Sequence, residues 1–213
     1  MNYQTPHEAF WAGEFGNEYT ERNRGPNWLA SNLALFSKIF SRTDEVHSVL
    51  ECGANIGLNL QCIGDLLPSA ELAAIEINSR AVAELRKLPR VQVFQQSILD
   101  FAPQRSYDFV FTKGVLIHID AASLPRVYDL LNQSSSRYIC MAEYYSRTPI
   151  SLSYRGHSDR LYKRDFAGEM LDRFKHMRLV DYRFTYHREK AFPQDDLTWF
   201  LLEKIAPTGG SPA

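Results

Sequence analysis

The chain has 213 residues, enough for one domain of ordinary size with a sizeable core and too few for two full ones. Hydrophobic residues make up 45% and charged residues 23%, an ordinary globular composition that argues against long disorder. The 24 basic and 25 acidic residues leave a net charge of -1, which excludes a general nucleic-acid binder unless one face is locally basic.

No apolar run approaches the ~18 residues needed to cross a bilayer, so no membrane partner is expected. The N-terminus has no basic region followed by an apolar stretch, and no secretory signal is read there. Cys52, Cys62 and Cys140 are odd in number and lie in apolar surroundings. They read as reduced core thiols of a cytoplasmic protein, without disulfide or metal spacing.

Along the chain, strand-like and helix-like patterns alternate. Residues 7–20 carry Phe10, Trp11 and Phe15, with Gly13 and Gly16 weakening any helix. Leu29, Leu33, Phe36 and Phe40 then form the stripe of an amphipathic helix. Strands are predicted at Val46–Leu50, Leu72–Ile75, Val91–Phe94, Tyr107–Phe111 and Tyr138–Ala142. Helices between them carry Leu60, Ile63 and Leu67 before Pro68, then Val82, Leu85 and Leu88 before Pro89, then Leu124, Val127, Tyr128 and Leu131. After Tyr144 a polar, basic loop is expected as far as Lys163, followed by a helix with Ala167, Met170, Leu171 and Phe174. Two last strand patterns, Arg178–Tyr186 and Leu197–Leu202, have only a turn between them and should pair antiparallel. This is an α/β, doubly wound, mostly parallel sheet with an antiparallel last strand. The Pro/Gly/Ser-rich stretch 207–213 is expected to be a disordered tail.

The strongest motif is Glu51-Cys52-Gly53-Ala54-Asn55-Ile56-Gly57, which ends the first strand and opens a helix. Open α/β sheets bind nucleotide-like ligands at that place. Gly53 allows a sharp turn and close approach of a ligand to the backbone, and Gly57 allows close helix–strand packing. A carboxylate at Glu51 would repel a pyrophosphate but suits an ammonium group. Glu76, 25 residues later at the end of the second strand, suits both hydroxyls of a ribose. An adenosine carrying an amino acid, S-adenosylmethionine, satisfies both carboxylates better than a dinucleotide.

On these residues the chain resembles the class I S-adenosylmethionine-dependent methyltransferases over nearly its whole length. The resemblance implies a Rossmann-like, seven-stranded sheet in order 3-2-1-4-5-7-6 with strand seven antiparallel. The stretches 10–23, Tyr154-Arg155-Gly156-His157, Phe166-Ala167-Gly168-Glu169 and 195–200 are similar to the pseudaminic acid biosynthesis-associated methylases, which suggests sugar biosynthesis. The implied layout is one methyltransferase domain at 1–206, with an N-terminal helical lid at 1–44 and an acceptor-site insert at 144–172. Position by position, Gly53, Gly57, Glu51 and Asn55 would surround the methionine part of the cofactor. Glu76 would take the ribose, with Ile77 on the adenine and Ser97 and Ile98 at its edge. Many family members carry an aspartate at the Ser97 position to accept from the adenine amino group. Thr112, Lys113 and Gly114 would flank the sulfonium, and Tyr19 and Trp28 are lid candidates or ordinary packing.

The implied activity is in-line methyl transfer to a small, anionic acceptor of sugar, nucleotide-sugar or carboxylate type. The sulfonium is already activated, so alignment dominates and a base is needed only for a protonated acceptor. His118 just past strand four is a base candidate or a loop-ordering residue, since histidine titrates near neutrality. Glu143 at the end of strand five binds an acceptor or caps a turn, and Tyr145 joins these two as a catalytic candidate. From Tyr154 to Lys190 there are ten basic against six acidic residues. Arg155, His157, Lys163 and Arg164 with Tyr144 and Tyr154 therefore suit an anionic small molecule. The alternative is a solvated basic face paired with Asp159 and Asp165. No metal is assigned. A dinucleotide-dependent oxidoreductase and a cofactor-binding protein without turnover remain as other classes, and oligomeric state is open.

Overall fold

The computed structural model describes residues 3–22 and 26–205. The stretch 207–213, expected as a tail, lies outside them. Three helices come first: α1 (Pro6–Ala12), α2 (Glu14–Arg22) and α3 (Pro26–Phe40). The alternating part follows as β1 (Ser48–Cys52), α4 (Leu58–Leu66), β2 (Glu71–Glu76), α5 (Ser79–Leu85), β3 (Val91–Gln95), β4 (Tyr107–Lys113), α6 (Leu124–Ser134) and β5 (Ser135–Glu143). A hairpin of β6 (Ile150–Tyr154) and β7 (His157–Lys163) precedes α7 (Phe166–Arg173), β8 (Met177–Phe184) and β9 (Thr198–Lys204).

The main sheet has seven strands in order β3-β2-β1-β4-β5-β9-β8. β1 to β5 pair parallel, while β9 runs antiparallel to both β5 and β8. This is the predicted architecture, including the antiparallel closing pair. The alternation of side chains along each strand separates two cores. On one face Val49, Ala74, Phe109, Phe111 and Cys140 pack against Leu35, Phe36 and Ile39 of α3 and Leu60 and Ile63 of α4. On the other, Leu50, Ile75, Val110, Ile139 and Met141 meet Leu124, Val127 and Leu131 of α6 and Met170 of α7.

Local structure differs from the sequence reading in three places. Residues 144–163 are not simply a loop, because Ile150–Tyr154 and His157–Lys163 pair antiparallel in a small second sheet. The turn is tight, with Arg155 at φ 49° and Gly156 at φ 85°. Gly13 and Gly16 do not prevent helices. A Cβ on Gly16 would stand 1.8 Å from the Trp11 carbonyl oxygen, so the missing side chain lets α2 fold back onto α1. In α3 the deepest residues are Leu35, Phe36 and Ile39, whereas Leu29, Leu33 and Phe40 are half-buried. Among the described residues no helix is long and apolar enough to cross a membrane.

Candidate functional site

The carboxyl ends of β1, β2 and β4 and the loop after β3 open into one cavity, covered by α1, α2 and the start of α3. Ligands of open α/β sheets bind at such strand ends. The turn after β1 builds its floor. Gly53 and Gly57 both have φ +80°, and Asn55 has φ 49°. A Cβ on Gly53 would meet Val115 Cγ2 at 2.7 Å, so the glycine lets the β1 turn close on the loop after β4. A Cβ on Gly57 would strike Leu85 of α5 and Leu88 beyond it, so the glycine lets the start of α4 pack on the next helix rather than, as expected, on a strand.

Glu76, buried at the end of β2, ties this turn to the next helix. Its Oε2 accepts the Asn55 N–H and its Oε1 the Asn78 N–H, each at 2.7 Å. Burial raises its pKa, partly offset by these bonds. Glu51 is 1% exposed, and its Oε1 accepts from Asn59 Nδ2 at 2.6 Å. Its other oxygen, and Asn59 Oδ1 in the cavity wall, are buried without a hydrogen-bond partner. Desolvation pushes the Glu51 carboxyl up to about 8, against the Asn59 bond and the charge of Lys113. Lys113 lines the cavity, and burial lowers its pKa against the carboxylates of Asp195, Glu51 and Glu143.

The roof is held by Asn78, a residue the sequence reading missed. Its Oδ1 caps α5 by accepting from Arg80 and Ala81, while Nδ2 donates to Trp11 O at 3.1 Å and Asn17 Oδ1 at 3.0 Å. One side chain thus caps a helix beside the cavity and clamps the α1–α2 junction above it. Its signal in the sequence was an asparagine two residues past Glu76, ahead of a helix. Thr20 reaches Asn55 Oδ1 at 3.4 Å from α2. Thr5, Glu8, Trp11, Asn32 and Asp120 also line the cavity and were not anticipated.

Of the sequence candidates, Tyr19, Trp28, Gly53, Asn55, Glu76, Ile77, Ser97, Ile98, Lys113, Gly114 and His118 line the cavity. Glu51, Gly57 and Thr112 lie buried outside that lining. His118 is 6% exposed, with its ring 4.6 Å from Trp11 and 4.9 Å from Tyr154. Its Nδ1 lies 2.6 Å from the Arg160 carbonyl oxygen, so that nitrogen carries the proton. Burial pushes its pKa down to about 4.

Glu143 does not reach the cavity lining. Its carboxylate accepts the Val115 N–H at 3.0 Å and the Ile117 N–H at 3.4 Å, and so holds the loop after β4 from behind. Burial raises its pKa to about 7 despite those bonds. Tyr145 is 43% exposed, with its ring 5.7 Å from Phe200.

The basic set lies on and around the hairpin, outside the cavity lining. Lys163 Nζ sits 5.3 Å from the Tyr144 ring and Arg155 5.7 Å from the Tyr154 ring, while Arg164 pairs with Glu169 at 2.8 Å. His157 packs its ring against Phe10 and Phe15, joining the hairpin to α1 and α2. Asp165 caps α7 through the Gly168 N–H, and the Asp159 side chain lies outside the described residues. Among the described residues no three His, Cys, Asp or Glu gather in a group that could hold a metal ion.

No protein-family model matches the chain, and no curated protein matches its sequence. Solved structures do match its fold. One is the 1,6-didemethyltoxoflavin-N1-methyltransferase of Burkholderia thailandensis, solved with 1,6-didemethyltoxoflavin and S-adenosylhomocysteine. It has a TM-score of 0.72 at 14% identity over 97% of this chain and 93% of that one. The plantazolicin methyltransferase BpumL, in complex with SAH, gives 0.66 at 14% identity over 94% of each chain. An S-adenosylmethionine-dependent methyltransferase from Clostridium acetobutylicum gives 0.64 at 11% identity over 90% and 98%. At these identities the likeness is one of fold, that of the class I methyltransferases.

Proposed function

We propose that this chain is an S-adenosylmethionine-dependent methyltransferase acting on a small acceptor. The observation that carries the reading is the chemistry of one cavity: a glycine turn at Gly53, a carboxylate at Glu76 and buried, unpartnered acceptors at the β1 end. Asn59 Oδ1, backed by Glu51 Oε2, suits the ammonium of an amino acid, since each lacks a donor. Each Glu76 oxygen already takes one backbone N–H and keeps a second lone pair for a ribose hydroxyl. Ile77 and Ile98 offer apolar contact to a base. The turn after β1 lacks the full three-glycine run that cradles a pyrophosphate, which disfavours the dinucleotide alternative.

The bound cofactor would supply a methyl group already activated on a sulfonium. What is left to the protein is chiefly alignment. Gly114 and Lys113 border the space beyond β4, and the Trp11 and Tyr154 rings hold His118 beside it. With Nδ1 committed to Arg160 O, His118 presents Nε2 as an acceptor, and its low pKa makes it a weak base near neutral pH. Its role is therefore to orient an acceptor N–H or O–H and to contribute modestly to removing that proton.

Residues 1–44 form the lid in this reading, and 144–172 the acceptor insert. The charges of Arg155 and Lys163, carried beside the Tyr154 and Tyr144 rings, favour an anionic acceptor, such as a sugar acid, a nucleotide sugar or another carboxylate. The narrower likeness to the pseudaminic acid biosynthesis-associated methylases rests on the sequence stretches alone.

Titration calorimetry with S-adenosylhomocysteine tests the cofactor site. Glu76→Ala should weaken binding by roughly 1.5–3 kcal/mol, the worth of hydrogen bonds to a charged acceptor. Unchanged affinity would overturn the assignment of Glu76. Incubation with methyl-labelled cofactor and pools of free and nucleotide-linked metabolites, with products identified by mass, would then name the acceptor.

A further inference from the structure

Two residues of the cavity wall carry a buried acceptor atom with no hydrogen-bond partner: Asn59 Oδ1 and Glu8 Oε1. Asn59 belongs to the β1 end. Glu8 does not, because the first turn of α1 is pinned elsewhere. Gln4 Nε2 bonds the Asp100 carboxylate, and Arg126 reaches Gln4 Oε1 at 3.0 Å. Asp100 lies in the loop after β3, close behind Ser97 and Ile98. Asn59 thus lies on α4 at the β1 end, whereas the segment that Glu8 caps is tied to the loop after β3.

Glu8 is 7% exposed, and its two oxygens have different tasks. Oε2 accepts the Gln4 and Thr5 N–H groups at 2.7 Å each, closing a capping box in which Thr5 Oγ1 accepts the Glu8 N–H at 3.1 Å. Oε1 is left over. Of the neighbouring side-chain acceptors, Ser97 Oγ already takes the Leu99 N–H at 3.0 Å, and the two Asp120 oxygens take Ser123, from its N–H and its hydroxyl. A buried carboxylate oxygen without a donor is costly, and a ligand N–H placed against it recovers that cost.

We propose that Glu8 is the base-reading residue of this site, its Oε1 accepting the exocyclic amino group of the cofactor's adenine. The inference rests on the cofactor reading above and deepens it. It puts the discriminating acceptor on the covering helix rather than at the serine after β3. The same side chain caps α1 and meets the base, so base recognition is built into the covering helix.

The probes are S-adenosylhomocysteine and its deaminated counterpart S-inosylhomocysteine, in which a carbonyl oxygen replaces the amino group. Calorimetry on the wild-type chain should show the adenine compound binding about 10-fold to 100-fold tighter. In Glu8→Gln, the Gln4 and Thr5 N–H groups hold the amide oxygen at the cap and turn its NH2 into the cavity. A donor then faces a donor, and the preference should vanish or reverse. Glu8→Asp keeps the charge but loses reach, and its preference should fall as well. Melting curves of both variants report whether α1 stays folded. A wild-type chain indifferent to the two compounds, or variants with the wild-type ratio, would overturn the role of Glu8. A wild-type chain that binds neither compound overturns the cofactor reading itself.

Discussion

Glu51 shows what a single buried carboxyl implies. With a pKa near 8 against an ordinary 4.5, it keeps its proton in the folded chain where the unfolded chain releases it. Stability from this source is complete below about pH 4.5 and is lost as pH rises through 8. Glu143, raised to about 7, acts in the same direction. His118, lowered from 6.5 to about 4, acts oppositely but only below 6.5, where the unfolded chain takes up its proton first. Through Glu51 and Glu143 the melting temperature of the ligand-free protein should therefore fall from pH 6.5 to 8, with Lys113, whose pKa burial lowers, acting the other way. Glu51→Gln keeps the acceptor for Asn59 without an ionisable proton, and its melting temperature should fall less over that window. Equal slopes in the two proteins would mean that Glu51 is ionised throughout.

At the scale of elements, the loop after β4 depends on Glu143. Glu143→Ala removes the acceptor of the Val115 and Ile117 N–H groups, at a cost of about 1–3 kcal/mol, while Glu143→Gln retains one carbonyl acceptor and should cost less. Urea midpoints of the two variants check this, and S-adenosylhomocysteine affinity should drop with the loop's order. The hairpin β6–β7 makes a different demand. In the doubly substituted Arg155→Ala, Lys163→Ala chain, the acceptor KM should rise with cofactor affinity unchanged, because neither residue lines the cavity. Wild-type kinetics there would make the hairpin a solvated face. The hairpin escaped the sequence reading because its strands carry Ser151, Ser153, Arg160 and Lys163 and bury little. Its apolar partners come from α1 and α2, more than a hundred residues away.

For the molecule as a whole, ligand binding should be felt on both sides of the cavity. S-adenosylhomocysteine at 100 times its Kd should raise unfolding stability by about 2.7 kcal/mol. Hydrogen exchange should slow in residues 5–22 as well as in the turn 53–57, because Asn78 joins Glu76 to the α1–α2 junction. Protection confined to the turn would separate the covering helices from binding.

The sheet was legible because its causes are local and periodic. Each parallel strand is a short, largely apolar run, β1, β2, β4 and β5 end at a glycine or a carboxylate, and Gly53, Gly57 and Glu76 mark the ends where ligands of this fold lie. Tertiary structure alone decided which polar atoms remain without a partner. Glu8, Asn59 and Asn78 are unremarkable in sequence, since any helix start holds a glutamate or an asparagine. Their importance comes from the tertiary packing that buries them, and for Asn78 from Trp11 and Asn17, 67 and 61 positions away. The same holds for Glu143 and His118, two similar catalytic candidates by position. Burial and backbone partners turned one to supporting a loop and left the other on the cavity wall.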